Sequence, residues 1–136
     1  MIDSNILIYH FAGEIPVQEQ DKIKAIFKKS FNISIITKIE FLGWKRHTES
    51  GFKEAKEFLQ ESIVIYIDDE IAERTIELRK NHSINLPDAL IAATALNGGY
   101  ILVTRNESDF KNLGLGIYNP FRVIEDESEN TDNRDR

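Results

Sequence analysis

Four acidic residues stand where the character of the chain changes: Asp3 in "MIDSN", Glu40 in "TKIEF", Asp88 in "NLPDALIAATAL" and Asp109 in "TRNESDF". Each has an ordinary local reading. Asp3 suits a turn or a cap on the helix after it. Glu40 and Thr37 spell a capping box, with Thr37 as N-cap and Glu40 at the third helical position. Asn85 suits a cap that leaves Asp88 in the first helical turn, where the helix dipole favours an acid. Asp109 suits a cap or a solvated position. Taken together the four also have a chemical reading. Carboxylates buried side by side repel one another, which raises a pKa or costs stability. A hard divalent cation removes that conflict. Mg²⁺ and Mn²⁺ prefer oxygen ligands, and Mg²⁺ keeps several waters while accepting phosphate oxygens. Such a centre can lower the pKa of a water and steady the leaving oxygen of a phosphodiester.

The elements around these acids alternate between strand and helix. Met1 to Asp3 reads as the end of a very short strand, and Ile6 to Phe11 as a turn or two of helix. Pro16 to Lys29 has helical spacing at Val17, Ile23, Ile26 and Phe27. "FNISII" (Phe31–Ile36) is rich in β-formers, and Thr37 to His47 and Phe52 to Gln60 read as helices. "IVIYI" (Ile63–Ile67) is expected to be a second buried strand, after which Asp68 caps a helix through Arg79. Pro87 suits the first helical position of the next helix and Gly98 its C′ position. "YILVT" (Tyr100–Thr104) is a third apolar strand and "GIYNP" (Gly116–Pro120) a short last one. Continuous apolar strands separated by helices predict a parallel sheet covered on both faces. In such sheets sites form beyond the carboxyl ends of the strands. Asp3, Glu40, Asp88 and Asp109 all follow strand ends or open the next helix.

The helix after Asn85 is apolar on nearly every side, so it should be packed on nearly every side. Its small residues Ala89, Ala92, Ala93 and Ala95 allow close packing on a sheet, which would hold Asp88 rigidly at the strand ends.

Composition narrows the classes. The 136 residues suit one domain. Cysteine is absent, which excludes disulfides, thiolate metal sites and cysteine nucleophiles. No apolar run approaches the ~18 residues of a membrane helix, and "MIDSNILIYHF" lacks the basic start of a signal peptide; a cytoplasmic protein is expected. A net charge of −6, from 17 basic and 23 acidic residues, argues against a broad basic face for nucleic acid. It leaves room for a nuclease whose metal meets the phosphates. Six acids and two arginines lie in "EDESENTDNRDR" (Glu125–Arg136), without a large apolar residue. Residues 125–136 are therefore expected to form a disordered acidic tail after a domain spanning 1–124.

With "MIDSNILIY", "TKIEFLG", "LPDALIAATAL" and "LVTRNESDF" in this order, the sequence resembles the PIN domain family from Met1 to about Pro120. Within the family it is similar to the VapC-type toxins of toxin–antitoxin pairs. The resemblance implies a three-layer α/β/α fold around a central parallel sheet. It implies Mg²⁺- or Mn²⁺-dependent endoribonuclease activity, with RNA as substrate and a VapB-type antitoxin as partner. It implies Asp3, Glu40, Asp88 and Asp109 as metal-site and catalytic acids, with Asn5, Thr104 and Asn106 as polar supports. Members often form homodimers. Relatives usually have more residues before the first aspartate, so either residues precede Met1 or the first strand is only a stub.

Other residues have weaker claims. His10, His47 and His82 show no metal-ligand spacing and suit structural or surface roles. Trp44 and Phe41 suit a core or a partner interface more than an RNA stacking platform. Lys38, Lys45, Arg46, Arg79 and Arg105 could meet phosphates but read individually as solvated charges. No glycine loop for phosphate is present. Two rival readings remain: a PIN-like interaction module without catalysis, and an aspartyl-phosphate phosphatase. The second expects "DxDx[TV]" after the first strand, where this chain has "DSNIL", with Asn5 in place of the second acid.

Overall fold

Met1, Ile2 and Asp3 run between two pairs of parallel strands and join them into one sheet. In the computed structural model, which describes residues 1–122, β1 (Asn32–Ser34) pairs in parallel with β2 (Ile63–Ile65), and β3 (Leu102–Val103) with β4 (Ile117–Tyr118). The Ile2 amide donates to the Asn32 carbonyl at 2.9 Å. On the other side Asp3 N–H donates to Val103 O at 2.9 Å and Val103 N–H to Met1 O at 2.8 Å. Ile2 thus bridges Val103 in parallel, and the order across the sheet is β2, β1, the 1–3 segment, β3, β4. The expected stub is the centre of the sheet. The expected acidic tail, 125–136, lies outside the described residues.

The period-two alternation of strand side chains separates two cores. Ile2, Ile33 and Val103 face one way, with Ile6 and Leu7 of α1 (Ser4–Phe11), Ile23 of α2 (Gln20–Lys29) and Leu59 of α4 (Glu49–Leu59). Met1 and Leu102 face the other, with Ile71 and Leu78 of α5 (Asp69–Asn81) and Ile91, Ala92, Ala93 and Ala95 of α6 (Leu86–Gly98). Helices therefore cover both faces of a parallel sheet, as a three-layer α/β/α fold requires. The short α3 (Ile35–Leu42) serves both cores, with Phe41 buried in the first and Ile36 packed on the second. It touches α1, α4 and α6. The alanines of α6 are fully buried, so the helix lies close against its neighbours as their small size predicts.

Several expected boundaries move. The β-rich run stops being strand at Ser34, and Ser34, not Thr37, is the N-cap of α3: its hydroxyl accepts from Ile36 N–H at 3.1 Å. Thr37 is the third helical residue, so Thr37 and Glu40 form no capping box. The segment offers two hydroxyl caps three residues apart, and pairing of Ser34 with Ile65 selects the earlier one. β2 is an edge strand, not a buried one, with Ile63 65% exposed. Gly99, not Gly98, takes the left-handed conformation that ends α6 (φ 67°), a backbone state that costs glycine least. Asp68 and Asn85 cap α5 and α6 as expected, accepting from Ile71 N–H and Asp88 N–H. Among the described residues no helix is long and apolar enough to cross a membrane.

Candidate functional site

Asp3 occupies the carboxyl end of the central segment and is the N-cap of α1. Its Oδ1 accepts from Ser4 N–H at 2.8 Å. Its Oδ2 accepts from the Asn5 amide at 2.9 Å and from the Thr104 hydroxyl at 2.8 Å. Thr104 follows β3 and is fully buried. Its hydroxyl oxygen also accepts from Asn106 N–H at 3.1 Å, and Asn5 Oδ1 accepts from Arg105 N–H at 3.3 Å. Five groups from two distant segments thus hold one carboxylate in a single orientation. Asn5 and Thr104 support Asp3 through their side chains, whereas Asn106 contributes its backbone N–H.

Glu40 reaches the same corner from α3. Its Oε1 accepts from the Ser4 hydroxyl at 3.3 Å. Asp88 opens α6, and Asn85 grips it twice: Asp88 N–H donates to Asn85 Oδ1 at 2.9 Å, and the Asn85 amide donates to Asp88 Oδ2 at 3.0 Å. The capping reading of Asn85 and Asp88 is therefore correct, and it is also what orients the carboxylate. Asp109 lies on the exposed side of the short α7 (Glu107–Phe110), which Phe110 anchors in the second core.

Electrostatics links the four. Burial, first, pushes the Asp3 carboxyl above the ordinary carboxylate range. Its hydrogen bonds oppose that and the Asp88 charge adds to it. Glu40 is raised by partial burial of its carboxyl and by the charges of Asp3 and Asp88. Asp88 is raised by burial and by Asp109, against its bond from Asn85. Among the described residues no positively charged side chain is a cause of any of these three shifts. Converging oxygen donors whose mutual repulsion is uncompensated fit a hard divalent cation in chemistry. In geometry the arrangement is open: among the described residues no three His, Cys, Asp or Glu side chains already stand as a ligand set.

Ser4 escaped the sequence reading. It ties Asp3 to Glu40, and only its place inside "DSN" hints at this. Arg105, a candidate phosphate contact, lies over the Phe121 ring at 4.2 Å and the Tyr9 ring at 5.2 Å. His10 sits among Phe11, Phe27 and Phe58, and His47 Nε2 lies 2.7 Å from the Phe41 carbonyl, both structural positions.

The family model of the PIN domain matches residues 1–115. Among solved structures, a toxin–antitoxin complex from Klebsiella pneumoniae contains a chain 33% identical to this one. That match has a TM-score of 0.70 and covers 88% of this chain and 95% of that one. VapBC2 from Rickettsia felis, bound to a DNA fragment from its promoter, contains a chain 25% identical with a TM-score of 0.73, covering 88% and 96%. FitAcB from Neisseria gonorrhoeae, 18% identical with a TM-score of 0.72 over 88% and 96%, shares the fold. No curated protein matches at a comparable level.

Proposed function

Because the chain belongs to the PIN domain family, we propose that it is a divalent-cation-dependent endoribonuclease, the VapC-type toxin of a pair whose antitoxin is VapB-like. The observation that carries this reading is the convergence of Asp3, Glu40 and Asp88, with the charge of Asp109 behind Asp88, without a compensating cationic side chain among the causes of their raised pKa values. Asp3, Glu40, Asp88 and Asp109 are the residues that would hold Mg²⁺ or Mn²⁺. The bound cation would supply an activated water and charge stabilisation for a phosphodiester. Asn5 and Thr104 keep the Asp3 carboxylate aimed, and Asn85 does the same for Asp88. Hydrolysis in this arrangement leaves a 5′-phosphate and a 3′-hydroxyl. The toxin role and the antitoxin partner rest on the neighbouring complexes, foremost the one at 33% identity. Action in the cytoplasm and homodimer formation belong to the same reading.

A second reading, a PIN module that binds partners without cleaving, is favoured by the open geometry of the acids. The phosphatase reading finds no acid at position 5: the Asn5 amide there donates to Asp3 instead. One experiment separates the nuclease from the other two. A structured RNA incubated with the purified chain should yield 5′-phosphate fragments in Mn²⁺ and none in EDTA. An Asp3→Asn, Asp88→Asn double variant should yield none in either. Cleavage that survives EDTA, or a wild type inert in Mn²⁺, removes the nuclease reading.

A further inference from the structure

The four buried threonines among the described residues divide three to one. Thr75 and Thr94, in α5 and α6, each donate to the carbonyl four residues back, Ile71 O and Leu90 O, at 2.7 Å. Thr104 donates to Asp3. Thr37 is 0% exposed, and its hydroxyl has no hydrogen-bond partner, the one such buried side-chain group among the described residues. The solution used by Thr75 and Thr94 is closed to it. Thr37 is the third residue of α3, so the residue four back is Ile33, which belongs to β1 and not to the helix. Buried polar atoms are nearly always satisfied, and an unsatisfied one in a folded protein calls for a partner.

Its surroundings indicate where that partner lies. Thr37 and Glu40 are three apart on α3 and share a face. Helical side chains lean toward the helix N-terminus, and the N-terminus of α3 is the end that leaves the carboxyl edge of β1. Glu40 on this face is held by Ser4 and repelled by Asp3 and Asp88. The helices that α3 packs against include α1, which Asp3 caps, and α6, whose first turn carries Asp88. The unpartnered hydroxyl thus belongs to a buried residue one helical turn before Glu40, on the helix that packs against both α1 and α6.

We propose that Thr37 is a further positioning residue of the cation site, its hydroxyl accepting a hydrogen bond from a water of the hydration shell of a divalent cation held by the carboxylates. The inference rests on the cation-site reading above. A hydroxyl offers one donor and two acceptor positions, which suits hydration water better than a direct charge contact. Outer partners of this kind commonly set metal affinity by 10- to 100-fold.

The test uses Mn²⁺ as probe, with isothermal calorimetry for affinity and thermal unfolding for stability, on the full chain. Thr37→Val keeps the shape and removes the hydroxyl; Thr37→Ser keeps the hydroxyl. In EDTA, Thr37→Val should unfold at or above the wild-type temperature, because it removes a buried polar atom that lacks a partner in the fold. Its affinity for Mn²⁺ should fall about tenfold or more, with a correspondingly smaller rise in unfolding temperature. Thr37→Ser should recover most of the affinity. Wild-type affinity in Thr37→Val overturns the proposal and leaves the cation site standing. So does a Thr37→Val protein that is destabilised or unfolded in EDTA, since the hydroxyl would then have its partner within the protein. A wild type that does not bind Mn²⁺ overturns both.

Discussion

Asp3 and Asp88 are the same functional group held by opposite means. Asp3 is 4% exposed, and two of its bonds come from groups near it in sequence while a third comes from Thr104, across the sheet. Asp88 is half-buried and held by Asn85, three residues away, in a reciprocal cap that α6 would carry anywhere. One carboxylate is fixed by tertiary structure, the other by local helix chemistry. The difference teaches that equal chemical roles need not have equal structural consequences. At Asp3 both carboxylate oxygens are committed to donors; at Asp88 a neutral amide could replace one oxygen with little disturbance.

The sharpest way to break the comparison is to make the same substitution at both. Asp3→Asn and Asp88→Asn should each lower metal-dependent RNA cleavage by about 10²–10³-fold, the size of effect seen when one preorganised charge-stabilising group is removed. Their stabilities should part. In Asp3→Asn the amide nitrogen must face either Ser4 N–H or the pair of donors on Asn5 and Thr104, so at least one donor loses its acceptor. Urea unfolding in EDTA should show a loss of about 1–3 kcal/mol. Asp88→Asn keeps the cap from Asn85 and removes a repelled charge, so it should be as stable as wild type or more so. A structural acid that only complements the helix dipole predicts the reverse at Asp88: a loss of about 0.3–1 kcal/mol with cleavage intact. Equal destabilisation at both sites would erase the distinction.

Acidity gives a smaller, sharper signal. Asp3, Glu40 and Asp88 all have raised pKa values in the fold. Between the ordinary carboxylate pKa and the raised one, the folded state binds more protons than the unfolded state. Their contribution to stability therefore grows as pH falls through that window and is lost as pH rises above it. His10 works the other way: burial among aromatic rings and the charge of Lys24 lower its pKa, so acid weakens the fold through it. The carboxylate effect is isolated by difference. Without metal, the stability of wild type relative to the Asp3→Asn, Asp88→Asn variant should rise on moving from neutral pH down toward the ordinary carboxylate range. In Mn²⁺ the sign should reverse, because protons compete with the cation for the same oxygens. A difference that stays flat in EDTA would mean that neither burial nor mutual repulsion raises these carboxyls in the fold.

The smallest effect is expected at the rim. Asp109 is exposed on a four-residue helix and acts on the cluster through its repulsion of Asp88. Asp109→Asn should change stability by no more than about 0.5 kcal/mol and reduce cleavage less than either Asp3→Asn or Asp88→Asn. A loss of cleavage equal to theirs would move Asp109 from the rim to the centre of the site.

The sequence by itself determined what depends on neighbours within a turn or two. The caps at Asp68 and Asn85, the small-residue face of α6, the alternation of apolar strands with helices and the four acids are all visible in residue type and spacing. They follow from hydrogen bonds and side-chain volumes that act over a few residues. Tertiary structure decided the rest. Ser34 rather than Thr37 caps α3 because strand pairing with Ile65 sets where the strand ends. Met1–Asp3 is the middle of the sheet, and β2 its edge, because hydrogen bonds to Asn32 and Val103 fix an order that no single segment encodes. Thr104 grips Asp3 at a separation of 101 residues, and the Thr37 hydroxyl is buried without a hydrogen-bond partner. These placements depend on which strands lie side by side, and that is settled by burying two cores at once, a requirement of the whole chain rather than of any stretch of it.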